Sequence, residues 1–432
     1  MRTFPALAIL FSTFLLLSSC DADGGSNTGP APSASGVTIT DTGNESAGSD
    51  IEVFYRRPIP ETGVSAYRIF VVKESAATAF ELSTANGLSA DRYMEVPITS
   101  STTVSLSASS RDTDGDLIQD GVAYVAAVLS VADGSGADQN SLSSFSDSQT
   151  LTQAVYVGTL TGSISIGSGG MEVDSEGRIY AADFGMTLNG GGTTVRRITP
   201  SGEVSTFATG LNGASGNAFD SAGNLMQSNI TGGFISRISP SGVPTTFVTS
   251  GIAGPVGIAI DDSDNLYIAN CGGAGTIQFV TNTGASSVFS SDPLLNGNCP
   301  NGIALASDGN LYVALFNNGN VIRVAPDGTA SVFANVSGGN NGHITFANGV
   351  LYLVDRGGNR IYQITLDGSV TLLAGSGQRG HANGGPTEAS FSLPNDLAVS
   401  PDGSLIYVNE VSPTTGTNIG PTIIRVIKLP KD

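Results

Sequence analysis

Two histidines, a cluster of aspartates and three cysteines carry most of the chemistry open to this chain. Imidazole titrates near neutral pH, so His343 and His381 are the candidate general bases. Two histidines cannot build a three-histidine zinc site. No Gly-x-Ser-x-Gly stretch in a strand-to-helix context supplies a nucleophile. One histidine is therefore expected in a core or turn and the other in a loop. His343 and Asp396 are the catalytic candidates if the chain is an enzyme. Asp112, Asp114, Asp116 and Asp120 crowd around Gly115, a pattern that turns carboxylates to one side of a tight loop. That loop is either a structural calcium site or a solvated acidic turn, and no glutamate follows at the EF-hand spacing. Apart from Cys20, the cysteines are Cys271 and Cys299. A disulfide, two inert thiols or a metal pair are the alternatives, and no cluster of His or further Cys supports the last.

The elements that position these residues are strands. The chain has 432 residues, 57 of them glycine and none tryptophan, and only 13% are charged. Short β-branched runs separated by Gly, Asn, Asp, Ser and Pro dominate, which predicts an all-β protein. The formal charge of −19 comes with 18 scattered Lys and Arg, so no basic patch exists to grip a phosphate backbone and nucleic acid is not an expected partner.

Four segments are predicted. Residues 1–20 read as an export signal, with Arg2, then an apolar run from Phe4 to Leu17 that is too short to span a bilayer. Its end, Leu17-Ser18-Ser19-Cys20, resembles the bacterial lipobox, which implies lipidation of Cys20 and an extracytoplasmic protein anchored in the cell envelope. Residues 21–36 read as a flexible tether. Residues 37–152 read as an immunoglobulin-like sandwich, with strands at 51–56, 64–73, 102–108, 122–132 and near 144–152.

Residues 153–432 are repetitive. Gly170, Gly216, Gly257, Gly302, Gly342 and Asp396 each open an apolar strand, followed by an Asp/Gly turn, a strand ending in Asp or Asn, and two further strands. A period of roughly 40–50 residues with four strands per repeat means propeller blades, here six. Asp183, Asn229, Asn270, Leu315, Asp355 and Glu410 end the second strands, where an oxygen can accept backbone N–H groups. The sixth repeat has three strands of its own, and the segment around 155–166 is expected to supply the fourth and close the ring. In this register Cys271 and Cys299 fall on one rim, and export to an oxidising compartment predicts a disulfide between them.

Gly121-Val122-Ala123-Tyr124 with Val125, Val128 and Val131 resembles strand F of fibronectin type III domains and their corner tyrosine, with Phe54 and Tyr55 in place of the usual core tryptophan. Asp112 to Asp120 resembles the calcium loops of thrombospondin type 3 and dockerin repeats, with Leu117 where a small residue is usual. The segment from Leu372 through Gly403, including its long glycine-rich loop, resembles the NHL repeat. Pro300-Asn301-Gly302-Ile303 and Pro394-Asn395-Asp396-Leu397 resemble the regucalcin/gluconolactonase family. That second resemblance implies calcium in the central opening, held just before the opening residue of several blades, where this chain has Asn301, Asn341 and Asn395 beside Asp396. It would make the chain a calcium-dependent lactonase, the metal polarising a carbonyl while an acidic group activates water. A turn-capping role for the asparagines is the alternative. The leading expectation is a lipid-anchored scaffold whose loops, at 184–193, 292–300, 375–393 and 411–422, bind a protein, glycan or small molecule. The lactonase reading, and more distantly a lyase acting through His343, stand behind it.

Overall fold

A computed structural model describes residues 29–42, 47–152, 154–187, 190–336 and 339–430. Cys20, the export signal and residues 21–28 lie outside the described residues. The chain forms two compact units, Met1–Leu151 and Thr152–Asp432. Among the described residues no helix is long and apolar enough to cross a membrane.

The first unit holds two sheets. Ser35–Asp41, Ile51–Arg56 and Thr103–Ser105 form one. Met94–Pro97, Val64–Lys73, Ala123–Ala132 and Ser141–Leu142 form the other, and Gln149–Thr150 also pairs with Ala123–Ala132. Alternate residues point inward: Val53 and Tyr55 from one sheet meet Tyr67, Ile69, Val71, Tyr124 and Val128 from the other. The outer face of the second sheet is covered too, where Phe70, Val72 and Leu129 pack under Phe80 and Ala85. Residues 35–36, read above as tether, already belong to a strand that buries Val37 and Ile39. Met94–Pro97 was not foreseen, and the single strand expected at 144–152 is two short pairings. The hydroxyl of Tyr124 accepts the backbone N–H of Gln119 at 3.2 Å, tying the strand to the turn before it.

The second unit is a six-bladed β-propeller, six four-stranded antiparallel sheets in chain order around an axis. The innermost strands are Ser168–Val173, Ala214–Phe219, Pro255–Ile260, Pro300–Leu305, Asn341–Ala347 and Asp396–Val399. In the last blade Tyr156–Thr159 completes Asp396–Val399, Leu405–Val411 and Thr422–Lys428, pairing with the register Arg425 to Thr159 and Lys428 to Tyr156. First and last strands thus share one sheet, and no unpaired edge is left between them.

The recurring glycine has a steric cause. A Cβ on Gly216 would lie 2.3 Å from the Val256 carbonyl oxygen, and one on Gly302 2.5 Å from the His343 Cα, so blades approach at the axis more closely than a side chain permits. Blade six has Asp396 there instead, and it spends the space on a bridge: its Oδ2 accepts the Met171 N–H of blade one at 2.7 Å. Between blades, fully buried residues such as Ile268, Val313, Leu353 and Ile406 interdigitate, each contributing roughly 1.5–3 kcal/mol.

Candidate functional site

One end of the propeller axis opens into a cavity of about 500 Å³ built from two rings. The first consists of the residue following each second strand. Phe184, Ile230, Cys271, Phe316 and Arg356 hold this position in blades one to five, and all five line the cavity. Four are apolar or disulfide-bonded, and blade five alone contributes a charge. Ile419, from the 411–422 loop, fills the side belonging to blade six. The position is set by the residue before it, whose side chain fastens the turn. Asp183 accepts the N–H groups of Gly167 and Gly185, Asn229 that of Asn212, Asn270 that of Ala253, Asp355 that of Gly358 and Glu410 that of Ser392. Leu315 instead packs in the core between blades three and four.

The second ring comes from the inner strands, where Ser215, Val256, Asn301 and Asn395 line the cavity. The amide of Asn301 donates to the Asn341 carbonyl at 3.0 Å, and that of Asn395 to the Gly169 carbonyl at 2.9 Å, so each fastens its blade to the next. Neither Oδ1 has a hydrogen-bond donor among the described residues. Asn341 is turned away: fully buried, it donates to the Asn320 carbonyl, and it does not line the cavity. Asp396 is occupied as well, its carboxylate accepting the Met171 and Leu397 N–H groups at 2.7 and 2.6 Å. The four residues that the gluconolactonase resemblance put around a calcium ion therefore do not converge. The donor set does not suit the ion either. Two neutral amides and Arg356 line the cavity, no Asp or Glu does so among the described residues, and a hard dication needs anionic oxygens near it.

His343 also lines the cavity, with its Nδ1 3.4 Å from Asp396 Oδ2. Both are buried, and desolvation pushes each toward its neutral form. The imidazole is lowered to about 4, and the carboxyl is raised well above its ordinary value, with nearby Glu172 adding to the rise. Burial lifts the Glu172 carboxyl to about 7. The His343 ring has no hydrogen bond to a nucleophilic side chain among the described residues. The arrangement can move a proton.

Cys271 and Cys299 are joined, with an S–S distance of 2.02 Å, and the bond forms part of the cavity wall. Closing a loop across a sequence separation of 28 residues removes about 3–4 kcal/mol of unfolded-chain entropy in the loop-closure model. It also holds the mouth of blade three to that of blade four.

His381 lies in the 375–393 loop and packs against blade six. Its Nδ1 is 2.9 Å from Glu410 Oε1 and its Nε2 2.6 Å from the Ser412 carbonyl. Two acceptors favour the doubly protonated ring, and the Glu410 carboxylate raises its pKa. Glu410 also accepts from Arg425, which is fully buried and donates further to the carbonyls of Gly158, Ala382 and Ser390 and to Asn383 Oδ1. This network pins the long glycine-rich loop to the closing blade.

In the N-terminal unit, Asp112, Asp114 and Asp116 form the one group of three or more His, Cys, Asp or Glu side chains close enough to share an ion among the described residues. Asp120 is not among them. Lys73 Nζ sits at their centre, 3.3, 3.1 and 2.6 Å from the three carboxylates. Asp112 Oδ1 meanwhile accepts the N–H groups of Asp114, Gly115 and Asp116. Lys73 lies far away in sequence, and only the sheet brings it here.

Arg356 was not singled out from the sequence. The signal was present in the residue after each second-strand terminus, read across the blades, where one arginine stands among Phe, Ile, Cys and Phe.

No family model matches this chain, and no curated protein does. Among solved structures, a protein of unknown function from Bacteroides thetaiotaomicron superposes with a TM-score of 0.53 at 16% identity, over 88% of this chain and 94% of that one. Virginiamycin B lyase from Staphylococcus aureus matches with a TM-score of 0.46 at 17% identity, over 64% of this chain and 99% of that one. A gluconolactonase from Xanthomonas campestris matches with a TM-score of 0.49 at 15% identity, over 63% of this chain and 89% of that one. At such identities none of them brings an activity to this chain.

Proposed function

We propose that this chain is a lipid-anchored protein of the bacterial cell envelope that holds a small-molecule ligand at the mouth of its propeller. The observation that carries this reading is the cavity, about 500 Å³ with mostly apolar walls and a few convergent polar groups, on a frame fixed by a disulfide. Small-molecule sites have this size and composition. Export and lipidation rest on the apolar run ending at Cys20. The N-terminal unit acts as a fibronectin type III-like spacer; its strand orders and the Tyr124 hydroxyl support that reading.

Fluorescence titration of the full chain with N-phenyl-naphthylamine, a neutral dye that brightens in apolar sites, tests the cavity. One dye per chain is expected, and Ile230→Trp, which narrows the cavity, weakens binding. Absence of binding, or binding indifferent to the tryptophan, overturns the reading.

A second reading is favoured by His343, whose neutral ring faces the same cavity with Asp396 behind it. A lactonase-type hydrolase here would use His343 to take a proton from water. Turnover of a lactone panel that disappears in His343→Ala would establish it.

A further inference from the structure

The cavity contains a charge without a counter-charge. Arg356 is 9% exposed, and among the described residues no hydrogen bond or ion pair reaches its guanidinium. Its sequence neighbour Asp355 is engaged with the Gly358 N–H instead. The charge that acts on it is that of another arginine, Arg379, whose Nε, Nη1 and Nη2 are committed to Ser392 Oγ and the Gly416 and Pro413 carbonyls. Burial and that like charge hold the Arg356 pKa down at about 10. Among the described residues no acid lines the cavity, although the chain as a whole carries a formal charge of −19. Buried charges are normally paired, because an isolated one forfeits its hydration.

We propose that the cavity binds a small amphipathic organic anion, its carboxylate held by the Arg356 fork and its apolar body laid against Phe184, Ile230, Phe316 and Ile419. This rests on the ligand-binding reading above and names the ligand's class. A planar guanidinium matches a carboxylate with two parallel hydrogen bonds. One uncommitted fork neutralises one charge, which fits a monoanion better than a phosphate monoester. The free Oδ1 atoms of Asn301 and Asn395 accept hydroxyl or N–H groups on the ligand. The blade-one-to-four side of the ring, being apolar, takes the part of the ligand that water excludes.

The test compares two dyes on the full chain. Anilinonaphthalene sulfonate is a monoanion, and N-phenyl-naphthylamine is a closely similar ring system without the acid group. The sulfonate dye is expected to bind more tightly by about tenfold to a hundredfold. Arg356→Met removes that preference while keeping the neutral dye, and Arg356→Lys retains part of it. Octanoate, but not octanol, displaces the sulfonate dye from the unmutated chain. Equal affinity for both dyes, or an anion preference that survives Arg356→Met, overturns the proposal while leaving the cavity a binding site. Failure of both dyes to bind overturns the ligand-binding reading itself. Circular dichroism and thermal unfolding of Arg356→Met verify the fold, and Arg356→Lys serves if that variant does not accumulate.

Discussion

Two arginines are buried in adjacent blades of this propeller, and their surroundings are opposite. Arg425 in blade six is fully enclosed and meets five acceptors, among them the Glu410 carboxylate. Arg356 in blade five is nearly as buried and meets none among the described residues. The first charge is answered within the chain and serves architecture, stitching Gly158, Ala382, Asn383 and Ser390 around the seam where the ring closes. The second is left open toward a cavity. A saturated buried cation holds a fold together; an unsaturated one is held ready by the fold.

The contrast can be tested from its strong end. Arg425→Met leaves Glu410 buried without its guanidinium partner and takes one donor from the Gly158, Ala382 and Ser390 carbonyls, so urea unfolding should show a loss of about 3–5 kcal/mol. A loss below ~1 kcal/mol would remove the distinction between the two arginines.

The next effect belongs to His381, which answers the same Glu410. Its folded pKa lies above the ordinary 6.5, so its stabilising contribution is complete below about 6.5 and fades as the pH rises through the raised value. His381→Ala should therefore destabilise by about 1 kcal/mol at acidic pH and by less in alkali. A cost independent of pH would show that only the ring's packing matters.

Lys73 is a third answered cation, held by three aspartates in the other unit. Lys73→Met leaves those carboxylates without their ammonium. Millimolar calcium should then raise the Tm of the variant by about 4 °C more than that of the unmutated chain. If calcium stabilises both chains equally, the ion does not compete with Lys73.

The smallest effect is the most telling. Arg356→Met removes a charge that the folded state leaves unpaired, so thermal unfolding should show the same Tm or a higher one, while discrimination between the two dyes is lost. A clear drop in Tm would place Arg356 with Arg425, as an architectural residue.

Much of the fold was legible because its signals are local. The strand-opening glycines recur at the blade period, and the proline-then-glycine turns such as Thr199-Pro200-Ser201-Gly202 repeat between third and fourth strands. The closing strand and the shared rim position of Cys271 and Cys299 follow once the period is known. The short strands Ser35–Asp41 and Met94–Pro97 were harder to read, because each buries only a few residues and its flanks resemble tether or loop.

The candidate site was legible only in part. The gluconolactonase resemblance put Asn301 and Asn395 at the central opening, and both line the cavity, as does His343. Register could not say that Asn341 turns to the Asn320 carbonyl, or that Asp396 reaches across to Met171. Those directions depend on how closely neighbouring blades approach.

By itself the sequence determined that six repeats of strand and turn must close on one another, because period, alternation and turn chemistry act over a few residues. It also settled which residue type stands at each ring position. Only the tertiary structure decided which charges are answered. Lys73 finds its three aspartates, Arg425 its five acceptors and Arg356 none among the described residues, through contacts between strands or blades distant in the chain. Whether a buried charge is satisfied is a matter of a few ångströms across such contacts, and spacing along a chain carries no measure of that distance.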